Sequence, residues 1–448
     1  MFETKEYIGV WYLPDEPDKS VVGTLTFSQN EGIKLSLMGE LGNYFNKDSS
    51  EYETIIGIAS GNHITLKKCL RTNLKISVPG IKTSEYTASY ILEGVHIEDV
   101  QDENFKEVRV RFSNINEWIA LNSIREDYKE EDNTSIITCM NPESIKFCQN
   151  DYLSVSVGFG YEINGQFYKE TTITQSNYFD ISLTEDTSFD SITKLLYKIQ
   201  NLITLLIGTA SYVTFQEIKY KDNWIKVYYK IPFLPRDHNA IHPAYMLISF
   251  FDIYNINNNF LDQWLSRYEL IKPVFDAYYT IYNDKMYLEQ QMLSLVQGLE
   301  TYHRRAIRNY ELSDEEHEKR VKSVIDAADE QYKKWLQDKL TFSNEPNLRK
   351  RMNEIWSSFN GILTNFFNRK TRDYYIDKIV ATRNYNVHYN EDLADRALKG
   401  FDLYKLNVLL GIFYKIILMR EIGIFDEHIL TILQRNHSFL QQIKLLSN

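Results

Sequence analysis

The sequence predicts an α+β protein in which a β-rich N-terminal domain, sandwich- or barrel-like, precedes an all-α helical bundle. Short segments that alternate apolar and polar residues recur through the first half, which is typical of strands that bury one face. Three of the nine prolines, Pro232, Pro235 and Pro243, fall in one short stretch. Beyond them, apolar residues recur at three- and four-residue steps, the period of helices. We therefore predict a β-rich domain over 1–231, a proline-rich linker with a connecting helix over 232–270, and a helical domain over 271–448.

The composition is that of a soluble globular protein. The chain has 448 residues, of which 43% are hydrophobic and 25% are charged, and its formal net charge is −11. This length favours two or three domains. The negative charge argues against general binding of polyanions, so any contact with nucleic acid needs a local basic pocket.

Neither a membrane segment nor a metal site is expected. The longest apolar run, residues 406–419, is shorter than the roughly 18–20 residues of a membrane span and contains Asn407 and Lys415, so we predict a buried helix. Residues 1–14 carry acids and have no small-residue cleavage site, unlike a signal peptide. The three cysteines have no CxxC spacing, which indicates reduced thiols in the cytoplasm and no metal centre.

The β-rich domain is predicted to contain several hairpins. Residues 21–27 and 33–38 alternate around a short polar turn, which favours an antiparallel pair. Residues 188–208 then carry apolar side chains at helical spacing. A last hairpin, over 212–218 and 224–231, is assigned with this helix to the first domain.

The second half is predicted to be a bundle of helices. One helix covers residues 287–308. The motif Ser313-Asp314-Glu315-Glu316 predicts the start of a charged helix that runs to about Leu340. We also expect Thr371, Asp402 and Asp426 to cap the helices that follow them.

Two strongly polar residues interrupt an apolar helical pattern near residue 380. Ile376, Ile379, Val380 and Val387 recur at three- and four-residue steps, and this period continues onto Arg383 and Asn384. Asn384 and His388 are four residues apart and share a helix face. An arginine can bind a phosphate through two parallel hydrogen bonds, and a histidine transfers protons near neutral pH. From spacing alone, however, such a pair is more often solvated or packed without a catalytic role.

The string Arg-Asn-x-x-x-His formed by Arg383, Asn384 and His388 resembles the signature of HEPN domains. More specifically, it is similar to the Apea-like HEPN family of bacterial antiphage ribonucleases. Residues 294–304 resemble the first core helix of that family. Residues 9–14, 23–27 and 35–39 resemble its β-rich N-terminal domain, so the likeness reaches both ends of the chain.

This resemblance implies a metal-independent endoribonuclease of abortive infection, without a cofactor, that cleaves RNA, with tRNA among the candidates. HEPN domains pair about a two-fold axis, so it implies a homodimer or higher homo-oligomer with a composite cleft. Arg383 and His388 are then catalytic, and Asn384 orients the imidazole or the phosphate. The N-terminal domain is expected to sense a trigger, a phage-derived one being a candidate.

Three more residues are supporting candidates. Glu300 is expected either to support the active-site arginine or to form an ordinary intrahelical pair with Arg304, which is itself a candidate phosphate ligand. Tyr389 follows His388 directly, one residue before the position where some HEPN proteins carry a modified tyrosine. The alternative for the whole chain is a non-catalytic module that binds a nucleotide or RNA and mediates assembly.

Overall fold

The chain divides into two compact units. A computed structural model describes residues 4–42, 50–99, 103–166, 168–231, 240–256, 259–282, 286–389 and 391–447. The first unit comprises Met1–Ile207, Ser211–Pro243 and Ser249–Tyr254, and the second comprises Gly208–Ala210, Ala244–Ile248 and Asn255–Asn448. The predicted α+β class, β-rich and then helical, is confirmed. The domain limits 1–231, 232–270 and 271–448 stay a prediction, and residues 232–239 of the predicted linker lie outside the described residues.

The first unit begins with a closed six-stranded barrel. β1 pairs with β2 and β4, while β6 pairs with both β3 and β5 and so closes the ring. Trp11, Leu25 and Leu66 point inward and are fully buried, which fits the alternation of their strands. The strands are β1 (Thr4–Tyr12), β2 (Val21–Ser28), β3 (Gly32–Leu37), β4 (Glu51–Ala59), β5 (Asn62–Lys75) and β6 (Thr83–Glu93).

The sheet continues beyond the barrel through β14, which pairs with β6. Its remaining order is β14-β13-β7-β12-β11-β10, and β8 and β9 form a separate hairpin. Phe189, at the start of helix α2, lies 6.4 Å from Phe105 of β7 between ring centroids. The elements are β7 (Phe105–Phe112), α1 (Ile115–Ile119), β8 (Ile124–Lys129), β9 (Thr134–Cys139), β10 (Ile145–Gln149), β11 (Leu153–Gln166), β12 (Glu170–Thr187), α2 (Phe189–Ile207), β13 (Val213–Tyr220) and β14 (Asn223–Tyr229).

Helix α11 forms the centre of the helical unit and packs on α4 and α5. The predicted buried run is confirmed, since nearly every residue from 406 to 419 is buried. The helices are α3 (Phe250–Ile256), α4 (Phe260–Tyr279), α5 (Leu288–Tyr302), α6 (Asp314–Asp326), α7 (Glu330–Leu340), α8 (Leu348–Ser358), α9 (Asn360–Leu363), α10 (Arg369–His388), α11 (Gly400–Glu421), α12 (Asp426–Arg435) and α13 (His437–Ser447). None of the described helices is long and apolar enough to cross a bilayer.

The two polar residues of the buried run have partners. Asn407 donates through Nδ2 to the carbonyl of Leu288 and to Gln291 Oε1, both at 3.0 Å. Lys415 donates to Gln442 Oε1 at 3.0 Å, and burial lowers the pKa of its amine to about 8. Both side chains therefore donate hydrogen bonds in an otherwise apolar environment, whereas Asn407 Oδ1 is buried without a partner among the described residues.

Several predicted helix boundaries are wrong. The capping box at Ser313 is confirmed, because its Oγ accepts from the Glu316 amide at 3.3 Å. The charged helix does not run on to Leu340 but ends at Asp326, and α7 begins separately at Glu330. Neither α6 nor α7 contains a buried residue, so no core contact favours one continuous helix over two.

The predicted caps of the last helices are also wrong. Asn368, not Thr371, caps α10, since its side chain accepts from the amide of Thr371. Asp402 and Asp426 both lie inside the first turns of their helices. In the first turn a carboxylate still interacts favourably with the helix dipole. The sequence alone therefore does not show whether such an Asp is the N-cap or lies inside the first turn of the helix.

Gly298 marks a close approach of α5 to α11 and α4. A Cβ at this position meets Tyr414 Oη at 2.1 Å and Ala277 Cβ at 2.6 Å. We expect Gly298→Ala to destabilise the protein by about 1–3 kcal/mol through overpacking. Gly361→Ala is the matched control, because its Cβ meets nothing within 4 Å. Urea unfolding of both variants checks this, and equal free energies of unfolding contradict it.

Candidate functional site

Helix α10 buries one face, and the polar residues Arg383 and Asn384 lie at the boundary of that face. Ile376 and Ile379 are buried, and Thr382 is fully buried, where its Oγ accepts from the amide of Leu398 at 3.0 Å. Arg383 and Asn384 follow on the adjoining, half-buried surface. The buried face of α10 does not include Val387, the last residue of the predicted apolar pattern, because its side chain is 46% exposed.

Arg383 and Asn384 lie in an open cleft of about 480 Å³ between α5, α8 and α10. Pro346, Asn347 and Leu348 bring the N-terminus of α8 to the same cleft. The charged and amide side chains that line it include Glu300, Arg304, Glu345, Arg351, Arg383 and Asn384. The cleft therefore combines several guanidinium groups with two carboxylates.

The carboxylates do not fully occupy these arginines. Arg383 Nη2 lies 3.8 Å from Glu300 Oε2, too far for a hydrogen bond, and Nη1 donates to Asn384 Oδ1 at 3.3 Å. Arg304 pairs with Glu345 at 2.9 Å. The alternative of an intrahelical pair between Glu300 and Arg304 is therefore not what the structure holds, since each pairs with another helix or loop.

His388 lies away from this cleft. It comes five residues after Arg383, which turns it by roughly 140° around the helix and moves it about 7.5 Å along the axis. Its side chain is exposed, and among the described residues no hydrogen bond, ion pair or ring contact joins it to a partner. Tyr389 ends α10 with φ 49° and is 74% exposed. One chain thus brings Arg383, Asn384, Glu300 and Arg304 together, but neither His388 nor Tyr389.

A buried imidazole lies behind the cleft, and the sequence analysis gave it no role. His303 is fully buried in a π-helical turn, His303–Ile307, that follows α5. Its Nε2 lies 2.7 Å from Glu354 Oε2, and its Nδ1 lies 3.1 Å from Arg351 Nη1. The available signal was Arg351 and Glu354 at i, i+3 on one helix, which places both on the same face.

The pKa values of this cluster reflect its surroundings. Burial lowers the pKa of His303, although Glu354 opposes this effect. Hydrogen bonds from Arg308, together with that from His303, lower the pKa of Glu354 to about 2. Within the described residues, no group of three or more His, Cys, Asp or Glu is arranged to hold a metal ion.

Comparison with known families assigns most of the chain. Residues 6–264 match the family model described as ApeA N-terminal domain 1, and residues 293–428 match the model described as Apea-like HEPN. The comparisons with curated proteins and with solved structures found no match. The second region contains the whole cleft between α5, α8 and α10.

Glu354 should make stability depend on acid pH. Its pKa is about 2 in the folded protein and about 4.5 unfolded, so its stabilisation is present above pH 4.5 and is lost as the pH falls towards 2. We expect the difference in free energy of unfolding between the parent and Glu354→Gln to shrink over this range. Urea unfolding from pH 7 to pH 3.5 measures it.

Glu318→Gln is the control for this measurement, because Glu318 is exposed and has no ion-pair partner among the described residues. Its difference from the parent should stay small throughout. A difference for Glu354→Gln that is constant with pH contradicts the assignment.

Proposed function

Because the chain belongs to the family that joins an ApeA N-terminal domain 1 to an Apea-like HEPN domain, we propose that it is a metal-independent endoribonuclease of bacterial antiphage defence. This membership fits a HEPN nuclease of antiphage defence in general terms. The finer proposal is a cytoplasmic enzyme that cleaves RNA during abortive infection, with tRNA among the candidate substrates.

The observation that carries this proposal is the accessible guanidinium of Arg383. Its side chain is 31% exposed in an open cleft, and its carboxylate neighbour is 3.8 Å away. Its Nη2 is therefore free to donate hydrogen bonds to a phosphate. As the 2′-oxygen attacks phosphorus, negative charge grows on the phosphoryl oxygens, and a fixed guanidinium stabilises it.

The proton transfers require an imidazole, and His388 is the candidate. One histidine removes the proton of the 2′-hydroxyl, and another donates a proton to the departing 5′-oxygen. The products are a 2′,3′-cyclic phosphate and a 5′-hydroxyl. Neither water nor a metal ion takes part in this step. Since His388 lies outside the cleft of its own chain, we propose a homodimer or higher homo-oligomer in which a two-fold axis supplies each residue twice.

The first unit is proposed to sense a trigger, with a phage-derived molecule as the candidate, and to restrain the nuclease until then. A second candidate function is a non-catalytic module that binds a nucleotide or RNA and mediates assembly. The position of His388 outside the cleft favours this alternative. End-group analysis of treated RNA separates the two, because only cleavage creates cyclic phosphate ends.

Substitution of the candidate catalytic residues should abolish cleavage. Arg383→Ala and His388→Ala each remove a group proposed to act in the transition state, so we expect at least about a hundredfold lower rate on total RNA. Arg369→Ala is the control for α10, since that side chain is 91% exposed in the first turn. His428→Ala is the control for an exposed histidine. Parental rates in either test variant contradict the assigned roles.

Cleavage should also persist in excess EDTA. None of the proposed steps uses a divalent ion, because the arginine stabilises charge and the histidines carry protons. The rate on total RNA, with and without the chelator, measures this, and added Mg²⁺ provides the reversal control. Loss of cleavage in EDTA that Mg²⁺ restores identifies a metal-dependent nuclease instead.

A further inference from the structure

We propose that His303 is a positioning residue whose neutral imidazole fixes Arg351 and, through it, the phosphate-binding wall of the cleft that faces Arg383. This wall consists of Arg304, Glu345 and Arg351. The test of this role rests on the proposed function, because it measures RNA cleavage. The contacts of His303 do not depend on it, and they all lie within the second unit.

The contacts of His303 define one tautomer. A guanidinium can only donate hydrogen bonds, so the Nδ1 that faces Arg351 Nη1 at 3.1 Å must be the acceptor. Nε2 then carries the proton and donates it to Glu354 Oε2 at 2.7 Å. Both contacts are satisfied only by the neutral ring with hydrogen on Nε2.

The same guanidinium connects the buried ring to the cleft surface. Arg351 is 2% exposed and donates through Nε to the carbonyl of Pro346 at 2.9 Å and through Nη2 to Glu345 Oε2 at 3.2 Å. Glu345 Oε2 also accepts from Arg304 Nη2 at 2.9 Å. A continuous series of hydrogen bonds therefore runs from His303 to an arginine that is 54% exposed.

The π-helical turn makes this arrangement possible. Its wider turn lets the amide of Arg308 bond to the carbonyl of His303 at 2.9 Å, five residues back. His303 is then buried, while Arg304 faces the cleft and Arg308 pairs with Glu354. Wide turns of this kind occur often at functional sites, since they redirect side chains that a regular helix would place elsewhere.

Protonation of the ring should break the series. The charged groups that face His303 are Arg351 and Glu354 on α8 and Arg308 after the π-helical turn, with Arg304 and Glu345 beyond them. A proton on Nδ1 would point at the guanidinium of Arg351 and remove the acceptor that holds it. The wall is thus assembled only while His303 is neutral, and it is released on the acid side.

Three variants of the full chain test this on a short RNA. His303→Leu keeps the bulk but loses both hydrogen bonds, so we expect kcat/KM to fall about tenfold or more, mainly through a higher KM. His303→Gln supplies a carbonyl for Arg351 and an amide for Glu354 without a titrating group. It should therefore cleave at least about tenfold faster than the leucine variant and lose part of the parental acid limb in the pH profile. His317→Leu, in the α6–α7 hairpin, is the control and should match the parent.

The outcomes separate this inference from the proposed function. If Arg383→Ala cleaves at the parental rate, the proposed function fails. If Arg383→Ala is inactive while His303→Leu keeps the parental KM and pH profile, the positioning role alone fails. Should His303→Leu not fold, Glu345→Gln interrupts the series at a carboxylate that is 26% exposed. A parental KM for that variant equally overturns the inference.

Discussion

The hydroxyl of Tyr414 donates to the carbonyl of Leu295 at 2.5 Å, a hydrogen bond that joins α11 to α5 where the two helices approach closely. It is possible because Gly298, one turn further along α5, has no side chain to fill the same space. The residues that α5 contributes to the cleft follow directly after this contact. Glu300 lies two residues after Gly298, and the π-helical turn with His303 and Arg304 begins where α5 ends.

Charge in the cleft is balanced locally and not by the chain as a whole. A protein with a net charge of −11 repels polyanions at long range, so an arginine cluster must act at short range. Glu300 balances the charge of Arg383, and Glu345 pairs with both Arg304 and Arg351. Because the pair at Arg383 is long and only partly buried, it is weak, and the phosphate of the proposed RNA substrate would replace it at little cost.

Periodicity predicted the elements better than their ends. Apolar residues spaced for a helix identified α2 and α10, because burial of one face leaves a periodic pattern. A continuous apolar run identified α11, which is buried nearly all round. The split between α6 and α7 left no such pattern, since helices without buried residues are held by local terms alone. The predicted caps Asp402 and Asp426 failed because an Asp in the first turn is favourable with or without a capping bond. Thr371 failed because Asn368, three residues earlier, caps α10.

The candidate site was predictable only where its residues are neighbours in sequence. Arg383 and Asn384 could be found from one helix, but their approach to Glu300 joins segments more than eighty residues apart in the chain. His303 itself was not predictable, because its π-helical turn breaks the regular period and its partners Arg351 and Glu354 belong to another helix. The i, i+3 spacing of these two partners was the available signal.

Arg383 and His388 are separated both around and along α10, and His388 is not among the residues that line the cleft. Five residues turn the side chain of His388 by roughly 140° from that of Arg383, while Asn384, on the same face as His388, lies one turn nearer the cleft. His388 is exposed at the end of α10, beside the αL residue Tyr389, and is therefore accessible to another molecule. In the homo-oligomer that we propose, the arginine cleft of one subunit and the helix end of another would be complementary halves, so the proposed chemistry would require that chains pair.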